Sequence, residues 1–377
     1  MNFEPNEDQK LLRRTIRNFA ETVIAPEVQA MEETAKAPMA ALGEMGKLGI
    51  MGVCVPPEFG GTGMGCLARI IIIEEIGRVS AALAFMLQCL HLAIDPIVNV
   101  GNEEQKRRYL PGLSSGARLA CMAVTESTGG SDPAGLRTQA VREGDSYVLN
   151  GRKVFITNAH IAHTFIVLAR TGEGAKGLSA FIVDTEMGGV RPGREEHKLG
   201  LKGCPTGEVV MEDCRVPAGN LLGEEGQGLK IALSAIGRSG RTGTAGTALG
   251  LLNGCLEAAV KQANERKLYG ESIAKLQGIQ WLIAEIWQDL QVARLLCYQA
   301  AWLVDQAAHC DAEIASAKLY ATEAAVRSAK KALDVYGGYG CLSEYPVQRY
   351  YRDSECLIAS AGTSEVMRIV MAKTALG

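Results

Sequence analysis

Leu119-Ala120-Cys121-Met122-Ala123-Val124-Thr125-Glu126-Ser127-Thr128-Gly129-Gly130-Ser131-Asp132 is the stretch at which the character of the chain changes. Leu119–Thr125 reads as a short strand, and the residues after it form a hydroxyl-rich glycine loop. Before it, residues 7–113 read as helices. Leu11, Leu12, Ile16, Phe19, Ala20, Val23 and Ile24 recur at a helical period, and an apolar-rich segment runs from Ile70 to Leu92. Val53–Pro57, followed by Gly60-Gly61, interrupts that pattern. After the loop come further strand candidates: Tyr147–Leu149, Lys153–Ile156, Thr164–Ala169, Leu178–Asp184 and Glu208–Glu212. Asn150-Gly151 predicts a hairpin turn, because that pair tolerates the positive φ angles a tight turn needs. From Gly226 the chain is helical again. Ile279, Leu282, Ile283, Ile286, Leu290, Ala293 and Leu296 make one stripe, and Ile314, Ala317, Ala321, Ala324, Ala325, Ala329, Ala332 and Leu333 make another. Long Ala-rich stripes suit closely packed helices.

This order predicts an α+β protein with a helical domain over residues 1–115, a small β-barrel or sandwich over 116–225, and a four-helix bundle over 226–377. A Rossmann fold is excluded, since no βαβ series and no GxGxxG after a strand occurs. A formal net charge of -3 over 377 residues argues against a nucleic-acid or anionic-membrane partner. No run of about eighteen consecutive apolar residues is present, so no membrane-spanning helix is expected. The acidic, polar start MNFEPNEDQK is unlike a signal peptide, and a cytoplasmic location is expected. Eleven cysteines without a CxxC pair favour buried thiols over disulfides, and no metal site is expected.

The loop Thr125–Asp132 can offer hydroxyls and backbone N–H groups to a heteroaromatic ring or a pyrophosphate, though alone it also reads as a polar turn. It is followed by Lys153–Ala159, Glu265-Arg266-Lys267, Val335–Gly340, Glu344-Tyr345-Pro346, Arg352-Asp353 and Ala361–Glu365. Taken together and in this order, these segments resemble the acyl-CoA dehydrogenase family of flavoproteins over essentially the whole chain. The resemblance implies non-covalently bound FAD, an acyl-CoA thioester substrate, a homotetramer built as a dimer of dimers, and electron transfer to electron-transferring flavoprotein. It implies that Thr125 and Thr157 bond the flavin ring, that Phe155 covers it, and that Ser131 sits near the pyrophosphate. Arg266 and Gln277 match residues reaching the FAD of the neighbouring subunit, and Gly337-Gly338 matches glycines that admit its backbone. Thr363 and Glu365 match positions near the adenine half, although Glu365 and Asp334 stand where many members have Gln.

The resemblance also exposes a gap. Most members carry a base glutamate directly before Gly-Thr, where this chain has Ala361, and the thioester oxygen is assigned to the backbone N–H of Gly362. A minority supply the glutamate just before an arginine that matches Arg241, where this chain has Gly240. The stretch Ile236–Arg241 is one residue longer than usual, yet no acidic residue lies between Lys230 and Glu257. The helix matching the family's acyl-pocket wall, Ala84–Pro96, carries Phe85, Gln88, His91, Leu92 and Asp95. Asp95 in such an apolar stretch reads either as a helix-end contact or as a desolvated base of raised pKa; His91 is the second candidate. A missing glutamate with a pocket aspartate resembles the subgroup acting on cyclohex-1-ene-1-carboxyl-CoA in aromatic degradation. The alternatives are an ordinary α,β-dehydrogenase, an enoyl-CoA reductase, and a non-catalytic FAD- and CoA-binding scaffold.

Overall fold

The structure, a computed structural model, describes residues 6–377. The first part is helical: α1 Glu7–Phe19, α2 Val28–Thr34, α3 Met39–Lys47, α4 Gly65–Val79, α5 Ala81–Val100 and α6 Glu103–Ser114. Strands follow: β1 Ala120–Ala123, β2 Gln139–Glu143, β3 Ser146–Thr157, β4 Thr164–Arg170, β5 Leu178–Asp184, β6 Val190–Glu195, β7 Thr206–Pro217 and β8 Leu221–Leu222. The chain then returns to helix: α7 Gly228–Ala235, α8 Thr242–Glu265, α9 Gln277–Asp305, α10 Asp311–Tyr336, α11 Pro346–Ile358 and α12 Ser364–Leu376. The α-then-β-then-α order is as the sequence predicts.

The strands form one sheet in the order β6-β7-β3-β2-β4-β5-β8, with β1 added parallel to β4. Asn150-Gly151 is not a hairpin turn. β3 runs straight through it, paired antiparallel with β7, and the register shifts between Leu149 and Gly151. The irregularity is a β-bulge on the partner strand, where Glu212 and Asp213 of β7 together oppose Asn150. Asn150 Oδ1 accepts from the Asp213 N–H at 2.8 Å, and its amide donates to Asp213 Oδ1 at 3.1 Å. A Cβ on Gly151 would lie 2.5 Å from Thr138 Oγ1, so the glycine serves close approach of strands. The tight turn is instead Gly144-Asp145, which joins the paired ends Glu143 and Ser146 of β2 and β3.

α4 and α5 form the middle of the helical core. α5 is long and apolar enough by length and composition to cross a membrane, although Gln88, His91, Asp95 and Asn99 interrupt its apolar run. Yet 83% of that window is buried inside the protein. α4 meets α8 at small residues, where a Cβ on Gly250 would fall 2.4 Å from the Glu74 carbonyl oxygen. Glu74 and Glu75 are themselves fully buried on α4. Buried carboxylates are tolerable only when paired. Arg294 donates to Glu74 at 3.0 and 2.6 Å, Tyr298 at 2.6 Å, and Arg17 donates to Glu75 at 2.9 Å. These pairs tie α1, α4 and α9 together.

Burial, helped by the nearby Arg69 charge, pushes the His91 imidazole down to about 3, while Nε2 donates to the Ile50 carbonyl at 3.1 Å. The unfolded chain therefore binds a proton at His91 below about pH 6.5 that the folded chain refuses. That contribution is complete above pH 6.5 and is lost as pH falls towards 3. His91→Gln should lose less of its thermal midpoint between pH 7 and pH 4.5 than the parent does. Parallel midpoints over that range would contradict it.

Candidate active site

The loop after β1 is built around one carboxylate. Glu126 accepts from the N–H groups of Arg137 (2.7 Å) and Thr138 (3.0 Å), from Thr138 Oγ1 (2.6 Å) and from Lys153 Nζ (2.8 Å). Lys153 is fully buried and also donates to the Val124 carbonyl at 3.1 Å. Burial lowers the lysine to about 8, against the pull of Glu126. For Glu126 burial acts upward, but Lys153, Thr138 and the Arg137 N–H outweigh it and hold the carboxyl below its usual range. Sequence reading passed over both residues; the signal was a charged pair flanking the loop and the adjoining strand.

This anchoring places Thr125 beside β3, where the Val154 N–H donates to the Thr125 carbonyl at 2.9 Å. Phe155 is 65% exposed at φ 58°, an apolar ring held outward on a strained backbone. Asn158, just after Thr157, donates to the Met86 carbonyl of α5 at 3.0 Å, and Thr157 lies against Cys89. Thr157 is thus set against α5, the expected acyl-pocket helix, with Thr125 and Phe155 on the neighbouring strand segments. Ser131 lies exposed in the loop.

A second group lies elsewhere. Arg266, Asp334, Gly337, Gly338 and Tyr339 line a cavity of about 440 Å³. The Arg266 guanidinium sits 5.4 Å from the Tyr339 ring centre, and a Cβ on Gly337 or Gly338 would meet nothing within 4 Å. Gln277 opens α9, and the Leu276 that precedes it lines the cavity. Thr363 caps α12, its hydroxyl accepting from the Val366 N–H at 3.4 Å, and Glu365 is exposed in the first turn. An open, arginine-bearing groove and a hydroxyl-bearing strand pair with an exposed aromatic fit an elongated cofactor with an anionic middle and a flat ring.

The two positions where the resemblance looks for a glutamate lie side by side. A Cβ on Gly240 would be 3.5 Å from Leu92 Cδ1 and 3.6 Å from Ala361 Cβ. Ala361 and Gly362 both have positive φ, 54° and 106°. Neither of their N–H groups finds an acceptor among the described residues. Two successive free donors of this kind suit an anionic oxygen.

The stretch before Arg241, expected to carry an extra residue, does not break the helix. Ile236–Arg241 is a π-helix between α7 and α8, the usual result of a one-residue insertion. Buried Arg69 clamps it, donating to the Ser239 and Arg238 carbonyls at 3.1 Å each and to Thr242 Oγ1. The π-turn aims Arg238 and Ser239 at α5, and here the reading of Asp95 is corrected. Asp95 is not an unpartnered carboxylate among apolar residues. Arg238 Nη2 reaches its Oδ1 at 2.8 Å and Ser239 Oγ donates to Oδ2 at 2.9 Å. Asp95 and His91 line a cavity of about 590 Å³ with Met51, Arg69, Arg238 and Ile314. Leu92 faces Gly240, Gln88 faces Gly243, and Phe85 is buried in the core. Neither Gly240 nor Ala361 lines that cavity.

Three family models match the chain in sequence. The acyl-CoA dehydrogenase N-terminal domain matches residues 6–117, the middle domain 121–214, and the C-terminal domain 226–376. The chain is 41% identical over 375 residues to an acyl-CoA dehydrogenase of Bacillus subtilis, covering 98% of each. It is 39% identical over 370 residues, 97% of each, to subunit CarC of the caffeyl-CoA reductase-Etf complex of Acetobacterium woodii. Among solved structures, butyryl-CoA dehydrogenase of Megasphaera elsdenii superposes with a TM-score of 0.97 at 34% identity, covering all of both chains. A fold, a residue order and three consecutive domain matches agree: this chain belongs to the acyl-CoA dehydrogenase family.

Proposed function

We propose that this oxidoreductase acts on a cyclic, already unsaturated acyl-CoA of the cyclohex-1-ene-1-carboxyl type, by 1,4-elimination with Asp95 as the base. As a member of its family it uses FAD and acts on acyl-CoA thioesters. When bound, FAD supplies the hydride acceptor. Thr125, Thr157 and Phe155 would hold its ring, and Ser131 its pyrophosphate. Arg266, Gln277, Gly337 and Gly338 would receive the cofactor of a second subunit, with Thr363 and Glu365 near the adenine half. An exposed apolar line on α9, Trp281, Leu295 and Trp302, supports the homotetramer. The Etf named with the Acetobacterium relative supports electron-transferring flavoprotein as partner.

One observation carries the proposal. The converging positions 240 and 361 hold no carboxylate, whereas Asp95 lies on the same helix as Leu92, three residues and about 4.5 Å further along its axis. A base there is displaced from the α carbon towards the far side of a bulky acyl group. Conjugation passes acidity from the thioester to that distant carbon. Asp95 takes the proton, hydride leaves from another ring carbon, and a conjugated diene remains. The N–H groups of Ala361 and Gly362 hold the negative charge that develops on the thioester oxygen. Arg238 and Ser239 hold the Asp95 carboxylate in place, one donor to each oxygen.

The test is a panel of thioesters assayed with the FAD-loaded enzyme and an artificial electron acceptor. The cyclic, unsaturated thioester should be turned over fastest. Ala361→Glu should raise α,β-dehydrogenation of saturated straight-chain thioesters by about 10-fold or more, within reach of the 10²–10⁴ of a positioned base. A parent preference for saturated straight chains would overturn the cyclic reading. Reduction of enoyl thioesters without oxidation would favour the reductase direction, which the name of the Acetobacterium relative supports. Binding without turnover in either direction would leave the scaffold.

A further inference from the structure

Lys318 of α10 is fully buried, and nothing in the reading above uses it. Its Nζ donates to the Ile358 carbonyl at 2.6 Å and to the Gly362 carbonyl at 2.7 Å. Ile358 is the last residue of α11, whose terminal carbonyls have no partner within the helix. The two acceptors bracket Ala359-Ser360-Ala361, so one ammonium grips both ends of the turn carrying the two free N–H groups. Ala361 at φ 54° is a non-glycine residue in the left-handed region, a strained conformation that persists only when its surroundings impose it. No carboxylate pairs with Lys318 within 4 Å among the described residues. Arg241, close enough to lower its proton affinity, has no salt bridge either. Positions 240 and 361, where a carboxylate would answer these cations, hold Gly and Ala.

We propose that Lys318 is the positioning residue of the thioester-oxygen site: it holds the Ala361–Gly362 turn so that both N–H groups meet one oxygen, and it places an uncompensated positive charge behind them. This rests on the thioester reading above. An anionic oxygen entering the turn gains two backbone donors and a buried cation in a low-dielectric setting, where both act more strongly than in water. A ligand without that oxygen gains neither. The charge is itself titratable. Burial, then Arg241 across from it on the π-helix, lower Lys318 to about 8, while Glu323 of its own helix and Glu365 of α12 act upward. Both glutamates are engaged by Arg368.

The experiment compares two CoA ligands on the FAD-loaded protein: a 3-oxoacyl thioester, whose bound enolate is read by its absorbance, and the matching thioether, which lacks the thioester oxygen. Lys318→Met should retain FAD and bind the thioether as the parent does. Its affinity for the oxoacyl thioester should fall 10-fold or more, with the bound enolate forming about one pH unit higher. Lys318→Arg should restore part of the difference. In the parent, the affinity ratio of thioester to thioether should decline as pH rises through about 8, and Lys318→Arg should flatten that decline. An unchanged ratio in Lys318→Met overturns the proposal. If Lys318→Met fails to fold, the parent's pH series decides: a ratio constant from pH 7 to pH 9 overturns it, and a fall near 8 supports it. If the parent itself does not distinguish thioester from thioether, the thioester reading of the Ala361–Gly362 turn fails rather than the role of Lys318 within it.

Discussion

Asp95→Asn should retain FAD and thioester binding and lose turnover of its best substrate by roughly 10²-fold or more. The amide is isosteric: its oxygen can still accept from Arg238 and its NH2 can donate to the Ser239 hydroxyl, but it cannot take a proton. Its partners make the experiment clean. Arg238 is 37% exposed, so the cation left behind finds water rather than a buried void. The fold should survive, and a thermal midpoint close to the parent's is the control. Full activity in Asp95→Asn on the best substrate would remove Asp95 as the base. His91 would be a poor replacement: it is buried, neutral and held by the Ile50 carbonyl.

Lys153→Met should destabilise the protein by about 3–5 kcal/mol, the usual result of removing one member of a buried ion pair. The side chain left behind, Glu126, is 7% exposed and has lost the only cation paired with it among the described residues. Three donors still face it, from Arg137 and Thr138, but they no longer balance its charge. Because Glu126 is the hub of the loop Thr125–Asp132, FAD retention should fall together with the thermal midpoint. The double variant Lys153→Met, Glu126→Gln should recover part of the loss, since it removes the orphaned charge. Strict additivity of the two single effects would show that the pair is not what holds the loop.

Much of the molecule is written in the linear pattern. Helical stripes around residues 7–113 and beyond 226, with short apolar runs between, determine the α, β, α order, because side-chain periodicity follows backbone geometry directly. The order of motifs from Thr125 to Glu365 points to the family, and the sequence alone shows that no acidic residue lies from 231 to 256 and that position 361 is alanine. Local signals misled where distant chain segments intervened. Asn150-Gly151 has turn chemistry, but pairing with Asp213 on β7, far along the chain, keeps it within the strand opposite a bulge of β7. The run Ile70–Glu75 gives no hint that two adjacent glutamates are buried, because the arginines that make this possible come from α1 and α9.

The site depended on tertiary structure more than the fold did. Asp95 lies 143 residues before the arginine that pairs with it, and only the π-turn at Ile236–Arg241 brings the two together. The residues of that turn are readable in sequence, but its π-helical path goes with contacts from a distant element, here Arg69 of α4. Lys318 reads as one more lysine in an Ala-rich helix until the end of α11 and the Ala361–Gly362 turn close over it. Sequence determines which chemical groups are available and which are missing. The charge state, partner and direction of each group follow from what the folded chain packs against it, since burial and pairing act through space and not along the chain.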